Sequence, residues 1–345
     1  MTTERITRWL LIGLLGTACE APPRDGTQTA TTTDAAQTPV AQAADEEYVM
    51  VTTVINLPLY VNHDQAAFKA WGRKMGVRTS ILGPAEWDVP AQIQTIEQLI
   101  GTRPTGLLIN GTDPGIAQAI NKAVEAGIPT VVYDSDIPSK RHAFLGTDWY
   151  QVGRLQGEYM ARLIGGRGKV ACLGILGMSN QEAGFRGFLD VMKRYPAIRF
   201  IGQFEDKSNL ELAAKTAADL LAAHPDLAGF ACFTDPTAPG VALAVREAGR
   251  TGKVAITGMN FEPPQLRLLS EGVISMLVGQ KRELFTWYGA QFLHDLAHRQ
   301  NALTRNDARA GIAMVPDHVN PGLFVIDQTN VTEFLQSPSA TRSLD

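Results

Sequence analysis

The chain has 345 residues, of which 45% are hydrophobic and 19% are charged, as in an ordinary soluble α/β protein with room for about two domains. Its formal net charge of −4 excludes the strongly basic field that a nucleic-acid-binding protein would present.

Residues 1–18 have the pattern of an export signal. Two arginines precede an apolar run at residues 9–15, which is too short to remain in a bilayer as a spanning helix. Cys19 follows small residues and resembles the lipid-modified cysteine of bacterial lipoproteins, although Gly16 stands where that pattern favours leucine. Cleavage after Ala18 by an ordinary signal peptidase is the alternative. We therefore predict a protein of the periplasm or cell envelope, anchored to the membrane only through Cys19.

Residues 19–46 are rich in Thr, Ala, Gln and Pro and have no apolar periodicity, which is typical of a disordered tether. Residues 332–345 are predicted to form an unstructured tail, so the folded part spans residues 47–331. Within it, Cys172 and Cys232 lie in apolar strand-like runs. Two free buried thiols are expected there, although an oxidising envelope would also permit a disulfide between them.

From Tyr48 onward, apolar runs of strand length alternate with stretches of helical period. Phe68, Trp71 and Met75, for example, share one face of the first predicted helix. Such alternation predicts parallel sheets with helices on both faces. The predicted strands are 48–55, 78–82, 106–109, 130–133, 169–176, 199–204, 229–233, 254–257 and 273–278.

The chain also contains an internal repeat. The triplets Thr112-Asp113-Pro114 and Thr234-Asp235-Pro236 both follow predicted strands and are 122 residues apart, as are the pairs Ala126-Gly127 and Ala248-Gly249. Repeats of this kind indicate two similar α/β units. Asp before Pro also suits the start of a helix, so capping explains Asp113, whereas Asp235 could combine capping with ligand contact.

Residues 130–148 form the most distinctive stretch, because a β-branched strand ends there on acidic residues. Asp134 and Asp136 follow the strand, at the edge of a parallel sheet where open α/β folds bind ligands. Two carboxylates could accept hydrogen bonds from vicinal hydroxyls, which favours a sugar or polyol. Ordinary turn chemistry is the alternative. Lys140 and Arg141 are interpreted as rim or solvated charges.

Several motifs together resemble the periplasmic binding proteins of the ribose-binding type, the soluble receptors of sugar ABC importers. The resemblance covers about residues 48–331. It rests on the order and spacing of Pro58, Ala126-Gly127-Ile128-Pro129, Asp134, Gly146-Thr147-Asp148, Gly153, Gly187-Phe188 and Val278-Gly279-Gln280.

This resemblance implies an α/β fold of two similar doubly wound, Rossmann-like parallel-sheet lobes, joined by a three-strand hinge. The crossings between lobes are expected near Asp148, Gly279 and Ala310. The first lobe would then comprise residues 47–148 and 280–309, and the second lobe residues 149–279 and 310–331.

The resemblance also implies a ligand site between the lobes, with Asp134 clasping sugar hydroxyls. Gly184 stands where the family has an arginine. Arg186 could supply the missing guanidinium from two residues on, although that position lies on another face of the helix. Tyr60 could stack on a sugar ring, whereas Leu59 replaces a family aromatic. The expected ligand-binding residues are Asn56, Leu59, Tyr60, Asp134, Asp136, Asn180, Thr234, Asp235, Asn260 and Gln280.

The implied function is capture of a monosaccharide or related polyol by a monomeric receptor, which delivers it to an ABC permease without a cofactor. A sensor of sugar or autoinducer-2, acting through a chemoreceptor or sensor kinase, is the alternative. A DNA-binding repressor of the same fold is not expected, since the export signal replaces an N-terminal helix-turn-helix.

No catalysis is expected, since the chain has no Gly-x-Gly-x-x-Gly, Walker or Gly-x-Ser-x-Gly motif at the required places. His294 and His298 lie four residues apart and could share a helix face for a metal ion. No third ligand is evident in the sequence, so a solvated helix end without metal is the prediction.

Overall fold

The computed structural model describes residues 45–336, so the predicted signal, Cys19 and the end of the tail lie outside the described residues. Twelve strands occur in this range: β1 Glu47–Val51, β2 Arg78–Leu82, β3 Gly106–Asn110, β4 Thr130–Asp134, β5 Ala143–Gly146, β6 Gly168–Gly174, β7 Ile198–Glu205, β8 Leu227–Cys232, β9 Ala255–Met259, β10 Met276–Gln280, β11 His318–Val319 and β12 Leu323–Ile326.

Ten α-helices connect or flank these strands. They are α1 Ala66–Met75, α2 Val89–Thr102, α3 Ala117–Glu125, α4 Trp149–Leu163, α5 Ser179–Met192, α6 Leu210–Ala223, α7 Thr237–Glu247, α8 Pro263–Ser270, α9 Arg282–His298 and α10 Val331–Gln336. A π-helical turn, Tyr60–Gln65, leads into α1. Between residues 45 and 336, no helix combines the length and hydrophobicity needed to cross a bilayer.

The strands form two sheets of six, with orders β11-β5-β4-β3-β1-β2 and β12-β10-β9-β8-β6-β7. All neighbouring strands are parallel except β10 and β12. Within β1, Tyr48 and Met50 pack in one buried cluster, whereas Val49 and Val51 pack in another, so the sheet is covered on both faces. This confirms the predicted α/β class of two parallel-sheet lobes.

The internal repeat corresponds to equivalent places in the two sheets. β3 and β8, which precede the two Thr-Asp-Pro triplets, each occupy the fourth position in their sheet. Likewise, β4 and β9 occupy the third position, so Asp134 at the end of β4 corresponds to Asn260 just after β9. Cys172 and Cys232 lie buried as free thiols in β6 and β8, as expected.

The chain passes three times between the sheets. It leaves β5 for α4, returns from β10 to α9, which packs on β3, β4 and β5, and crosses again between β11 and β12. The third passage lies at residues 320–322 instead of near Ala310, because His318 and Val319 pair with β5 in the first sheet. This two-residue edge strand is too short to show apolar periodicity. The start of the predicted tail is helical, since α10 ends at Gln336.

We call the sheet containing β1–β5 and β11, with the π-helical turn, α1–α3, α9 and the segments that connect them, the first lobe. The sheet containing β6–β10 and β12, with α4–α8 and α10, is the second lobe. In the second lobe, glycines let α4 and α5 pack unusually closely. A Cβ on Gly153 would lie 1.8 Å from the Gly184 carbonyl oxygen, and one on Gly187 would lie 2.0 Å from that of Tyr150. These contacts give a physical reason for Gly153 and Gly187.

Candidate ligand-binding site

A cavity of about 610 Å³ lies between the carboxyl ends of the two sheets, within the roughly 300–1,000 Å³ range typical of small-molecule sites. Both lobes contribute to its wall. Eight of the predicted ligand-binding residues line it: Leu59, Tyr60, Asp134, Asn180, Thr234, Asp235, Asn260 and Gln280.

The first lobe's side of the cavity is built around Arg282, which is only 3% exposed. Its Nε and Nη2 donate to the two carboxylate oxygens of Asp64, at 2.9 and 2.6 Å. Its Nη1 donates to Asp134 Oδ1 at 2.9 Å and to Gln280 Oε1 at 3.1 Å. We call these four residues the Arg282 network. The bidentate pair fixes the Asp64 carboxylate, as planar guanidinium groups do, and the bond from Nη1 orients Asp134.

Neighbouring carboxylates keep the Arg282 guanidinium protonated although it is buried. Burial alone would lower the pKa of Arg282, but the nearby charges of Asp134 and Asp64, with their hydrogen bonds, raise it above its usual value. Burial raises the pKa of Asp64 to about 6, although Arg282 opposes that shift. The Arg282 guanidinium therefore lies between two carboxyl groups, and Asn110 Nδ2, at 3.4 Å, contacts the second oxygen of Asp134.

The predicted ligand-binding residues do not include Arg282 or Asp64, yet the sequence around each residue carries a signal. Asp64 lies four residues before Phe68, in line with the apolar face of Phe68, Trp71 and Met75. Arg282 is the first residue of α9, where a positive charge opposes the helix dipole. A carboxylate on an apolar helix face and a cation at a helix N-terminus are both energetically unfavourable when they are unpaired. Each position therefore indicates an oppositely charged partner.

Equivalent strand-end residues of the two lobes both adopt left-handed backbone conformations. Asp134 has φ +79° and Asn260 has φ +63°, a region that residues other than glycine seldom occupy. Both residues line the cavity and both are buried. Such conformations persist where surrounding contacts enforce them, and they are frequent at ligand sites.

The second lobe's side carries amides and hydroxyls around the carboxylate of Asp235. Asn260 Nδ2 donates to Asp235 Oδ1 at 2.6 Å, and Gln265 Nε2 donates to the Asp235 carbonyl at 3.1 Å. Burial raises the pKa of Asp235 to about 6, against the opposing effects of the Asn260 hydrogen bond and the Arg282 charge. Thr234 contacts the hydroxyl of Thr237, which donates to the buried Asp206. Asp235 thus has no ion-pair partner among the described residues.

Two residues of the cavity wall hold buried polar atoms that lack a partner among residues 45–336. They are the amide oxygen of Asn260, which can accept a hydrogen bond, and the indole nitrogen of Trp149, which can donate one. Buried polar groups are normally paired, so unpaired ones beside a cavity mark positions that a ligand or a rearrangement of the wall can satisfy.

Aromatic side chains complete the wall: Tyr60, Trp87, Trp149 and Phe233. Phe233 lies against Gly184, where a Cβ would come within 2.7 Å of its ring. The position at which the resembling family has arginine is therefore filled by a neighbouring aromatic ring. Arg186 is exposed and does not line the cavity, whereas Arg282, from the other lobe, contributes a guanidinium to its wall.

His63 connects the two lobes beside the cavity. Its Nδ1 lies 2.6 Å from Glu283 of α9, in the first lobe, and its Nε2 lies 2.9 Å from Glu262 at the start of α8, in the second. Desolvation lowers its pKa, but the hydrogen bonds and charges of Glu262 and Glu283 outweigh that effect and raise the pKa to about 9. A protonated imidazole thus joins two carboxylates from different lobes.

Two predicted site residues are not brought to the cavity. Asn56 is exposed in the loop after β1. Asp136 forms a bidentate pair with Arg141, at 2.9 and 3.0 Å, and Arg141 also donates to Asp317 at 3.0 Å. The structure therefore does not place Asp136 among the residues that line the cavity, because Arg141 holds it at the sheet edge beside β11.

Comparison with known proteins identifies the family. A family model described as periplasmic binding protein domain matches residues 48–301. The chain belongs to the periplasmic binding protein family. It is 25% identical to the D-allose-binding periplasmic protein of Escherichia coli strain K12 over 249 residues, which cover 69% of this chain and 80% of that protein.

Solved structures of periplasmic binding proteins agree with this membership. A sugar-binding protein of a sugar ABC transporter from Bacillus halodurans superposes with TM-score 0.78 at 29% identity, covering 84% of this chain and all 100% of that one. An arabinose-binding protein from Geobacillus stearothermophilus gives TM-score 0.74 at 30% identity, covering 84% and 99%. The resemblance inferred from sequence motifs is therefore confirmed. This is a periplasmic binding protein and not an enzyme.

Proposed function

We propose that this protein captures a monosaccharide or related polyol between its lobes and delivers it to an ABC importer. The observation that carries the proposal is a cavity between two sheets, whose wall combines fixed carboxylates, amides and aromatic rings. A hydroxyl both donates and accepts hydrogen bonds, so a polyhydroxylated ligand can use all these groups at once. The relatives that bind allose or arabinose support the same class of ligand.

Charge favours a neutral ligand over an anionic one. The buried carboxylates of Asp64 and Asp134 and the half-buried carboxylate of Asp235 lie around the buried guanidinium of Arg282 in the described cavity region. An anion would face a surplus of negative charge without being screened by water. The hydroxyls of a sugar, by contrast, can donate to Asp134 and Asp235, both of which are held in place by protein donors.

Binding at the boundary of two lobes suggests a hinge mechanism. A ligand that contacts Asp134 in the first lobe and Asn260 in the second gains its full set of hydrogen bonds only when both are near. It therefore stabilises the closed arrangement by its higher affinity for that state. The closed receptor is then proposed to dock on a membrane permease.

Calorimetric titration of the purified protein against pentoses, hexoses, polyols and autoinducer-2 tests this function. We expect saturable one-to-one binding of at least one neutral sugar or polyol, with a rise in melting temperature on its addition. Failure of every compound in a broad panel to bind would reject the receptor function, and exclusive binding of autoinducer-2 would favour sensing over import.

The membrane anchor is a separate proposal, because Cys19 lies outside the described residues. We expect a Cys19→Ser variant, expressed in cells, to move from the membrane fraction to the soluble fraction while it keeps its sugar affinity. Ordinary signal cleavage predicts instead that wild type and variant fractionate alike. Cys172→Ser is the matched control, since that thiol is buried in β6.

A further inference from the structure

A cluster of three metal-ligating side chains lies in the first lobe, remote from the ligand cavity. His294 and His298 are one turn apart on α9, and Glu46 lies just before β1. One ligand atom from each residue lies within 4.8 Å of the others. The sequence offered only the histidine pair, because Glu46 is nearly 250 positions away and β1 must pack beside α9 to bring it close.

We propose that the Glu46–His294–His298 cluster is a binding site for Zn²⁺ or a similar imidazole-preferring divalent cation. Two imidazoles and one carboxylate are a donor set that zinc uses at about 2.0–2.2 Å, with ligand atoms separated by a little over 3 Å. His298 Nε2 lies 3.1 Å from the Glu46 carboxylate, and the two imidazole centroids are 4.3 Å apart. Small side-chain rotations bring the third atom to that spacing.

The surroundings of the cluster hold its ligands in place. The Tyr48 hydroxyl donates to Glu46 Oε2 at 2.9 Å, which orients the carboxylate. His294 is packed beside Tyr48 and Trp71, and its Nδ1 has no hydrogen-bond partner within residues 45–336. Orienting contacts of this kind around the ligands usually strengthen metal binding.

Three protein ligands leave a fourth tetrahedral position for water. Asp295 is the nearest further carboxylate, 3.9 Å from His294 Nδ1. Its two oxygens already accept hydrogen bonds from Gln291 at 2.8 Å and Asn301 at 3.0 Å. Asp295 therefore supports α9 and its C-terminal loop. The partial exposure of His298, at 39%, leaves a path for the cation and its water.

The position of the cluster separates it from sugar binding. Helix α9 has 17 residues, so Arg282 at its start and His298 at its end are about 24 Å apart at 1.5 Å per residue. A cation at the cluster joins the entry of β1 to the end of α9, two segments that are far apart in sequence. Such a crosslink stabilises the first lobe without contacting the cavity.

Zinc titration of tag-free, chelator-treated protein tests the site. We expect one equivalent of Zn²⁺ to bind and to raise the melting temperature by on the order of 5 °C at saturating metal. His298→Ala and Glu46→Gln should each weaken binding at least tenfold. His298 and Glu46 lie at the surface or close to it, so their substitution should leave the fold intact. Glutamine at position 46 also keeps an acceptor for the Tyr48 hydroxyl. Co²⁺ should give visible absorption in the wild type that His298→Ala lacks.

Two controls distinguish this site from other sources of metal binding. His224→Ala removes a histidine of the second lobe and should leave zinc affinity unchanged. Asp134→Asn alters the cavity and should likewise leave it unchanged, whatever its effect on sugar. The proposal is overturned if the wild type shows no saturable binding, if the two cluster variants bind as well as the wild type, or if either control loses the metal.

Discussion

The two halves of the ligand cavity occupy equivalent places in their sheets but solve the problem of burial differently. In the first lobe, Arg282 compensates two carboxylates and fixes them in one geometry. In the second, Asp235 is held only by amide donors, and its pKa rises to about 6. The comparison shows that equivalent topology does not require equivalent electrostatics. One half pairs its two carboxylates with a cation, whereas the other holds a carboxylate that a neutral amide contacts.

Removing the cation of the first half should have the largest effect. Arg282→Met leaves Asp64 and Asp134 buried without a counter-charge, which should lower the free energy of unfolding by about 3–5 kcal/mol. Urea denaturation at pH 7.5 measures it. Arg186→Met removes an exposed arginine of the second lobe and should stay within about 0.5 kcal/mol of the wild type. Equal stability of the two variants would contradict the compensating role.

Removing one negative charge from the same half should mainly affect the ligand. Asp134→Asn keeps the shape, and asparagine tolerates the backbone at φ +79°. Loss of a charged acceptor should weaken the affinity for the sugar found by calorimetry roughly 10- to 100-fold, since such hydrogen bonds contribute about 1.5–3 kcal/mol. A cooperative unfolding transition serves as the control for folding. Unchanged affinity would remove Asp134 from the site.

The carboxylate of the second half, Asp235, should make the free energy of unfolding depend on pH. The pKa of Asp235 is raised from 3.8 to about 6 in the folded protein. Ionisation of Asp235 therefore does not destabilise the folded state below pH 4, and destabilises it fully above pH 6. Ligand-free wild type should therefore lose stability over that interval relative to Asp235→Asn, by at most about 3 kcal/mol. Asp64 shifts in the same direction, so the difference between the two proteins is the quantity to measure. Parallel stability curves would show that Asp235 titrates normally.

The smallest effect is expected outside the cavity. Asp136→Ala removes one partner of Arg141, which keeps Asp317. Because Asp136 is substantially exposed, the free energy of unfolding should change by less than about 1 kcal/mol. Sugar affinity, measured beside Asp134→Asn, should be unchanged. A large loss of affinity would indicate that Asp136 contacts the ligand, and would contradict its assignment to the sheet edge outside the cavity.

The sequence predicted most of the architecture because apolar periodicity follows directly from burial. The strand predicted at residues 78–82 coincides with β2, and most of the other predicted strands differ from the structure by a few residues at their ends. β5, β11 and β12 are not among the predicted strands. β11 has only two residues, one of them the polar His318, and its pairing with β5 depends on tertiary contacts.

The site was predicted less well, since a cavity is assembled by residues distant in sequence. Strand-end residues such as Asp134 and Asn260 were found because topology places them at one edge. Arg282 reaches Asp64 over more than 200 positions, and no local pattern identifies that pair. Asp136 looked like a ligand carboxylate only because the sequence did not show that Arg141 folds back onto it.

The contact of His63 with Glu262 has a consequence for how the receptor responds to low sugar concentrations. It joins the lobes through protein atoms alone, so it lowers the free energy of the joined arrangement before any ligand arrives. The fraction of empty receptors already competent to bind is then larger, and apparent affinity improves in proportion to that fraction. If delivery proceeds as proposed, the same bias lets empty receptors in the joined arrangement compete with loaded ones for the permease.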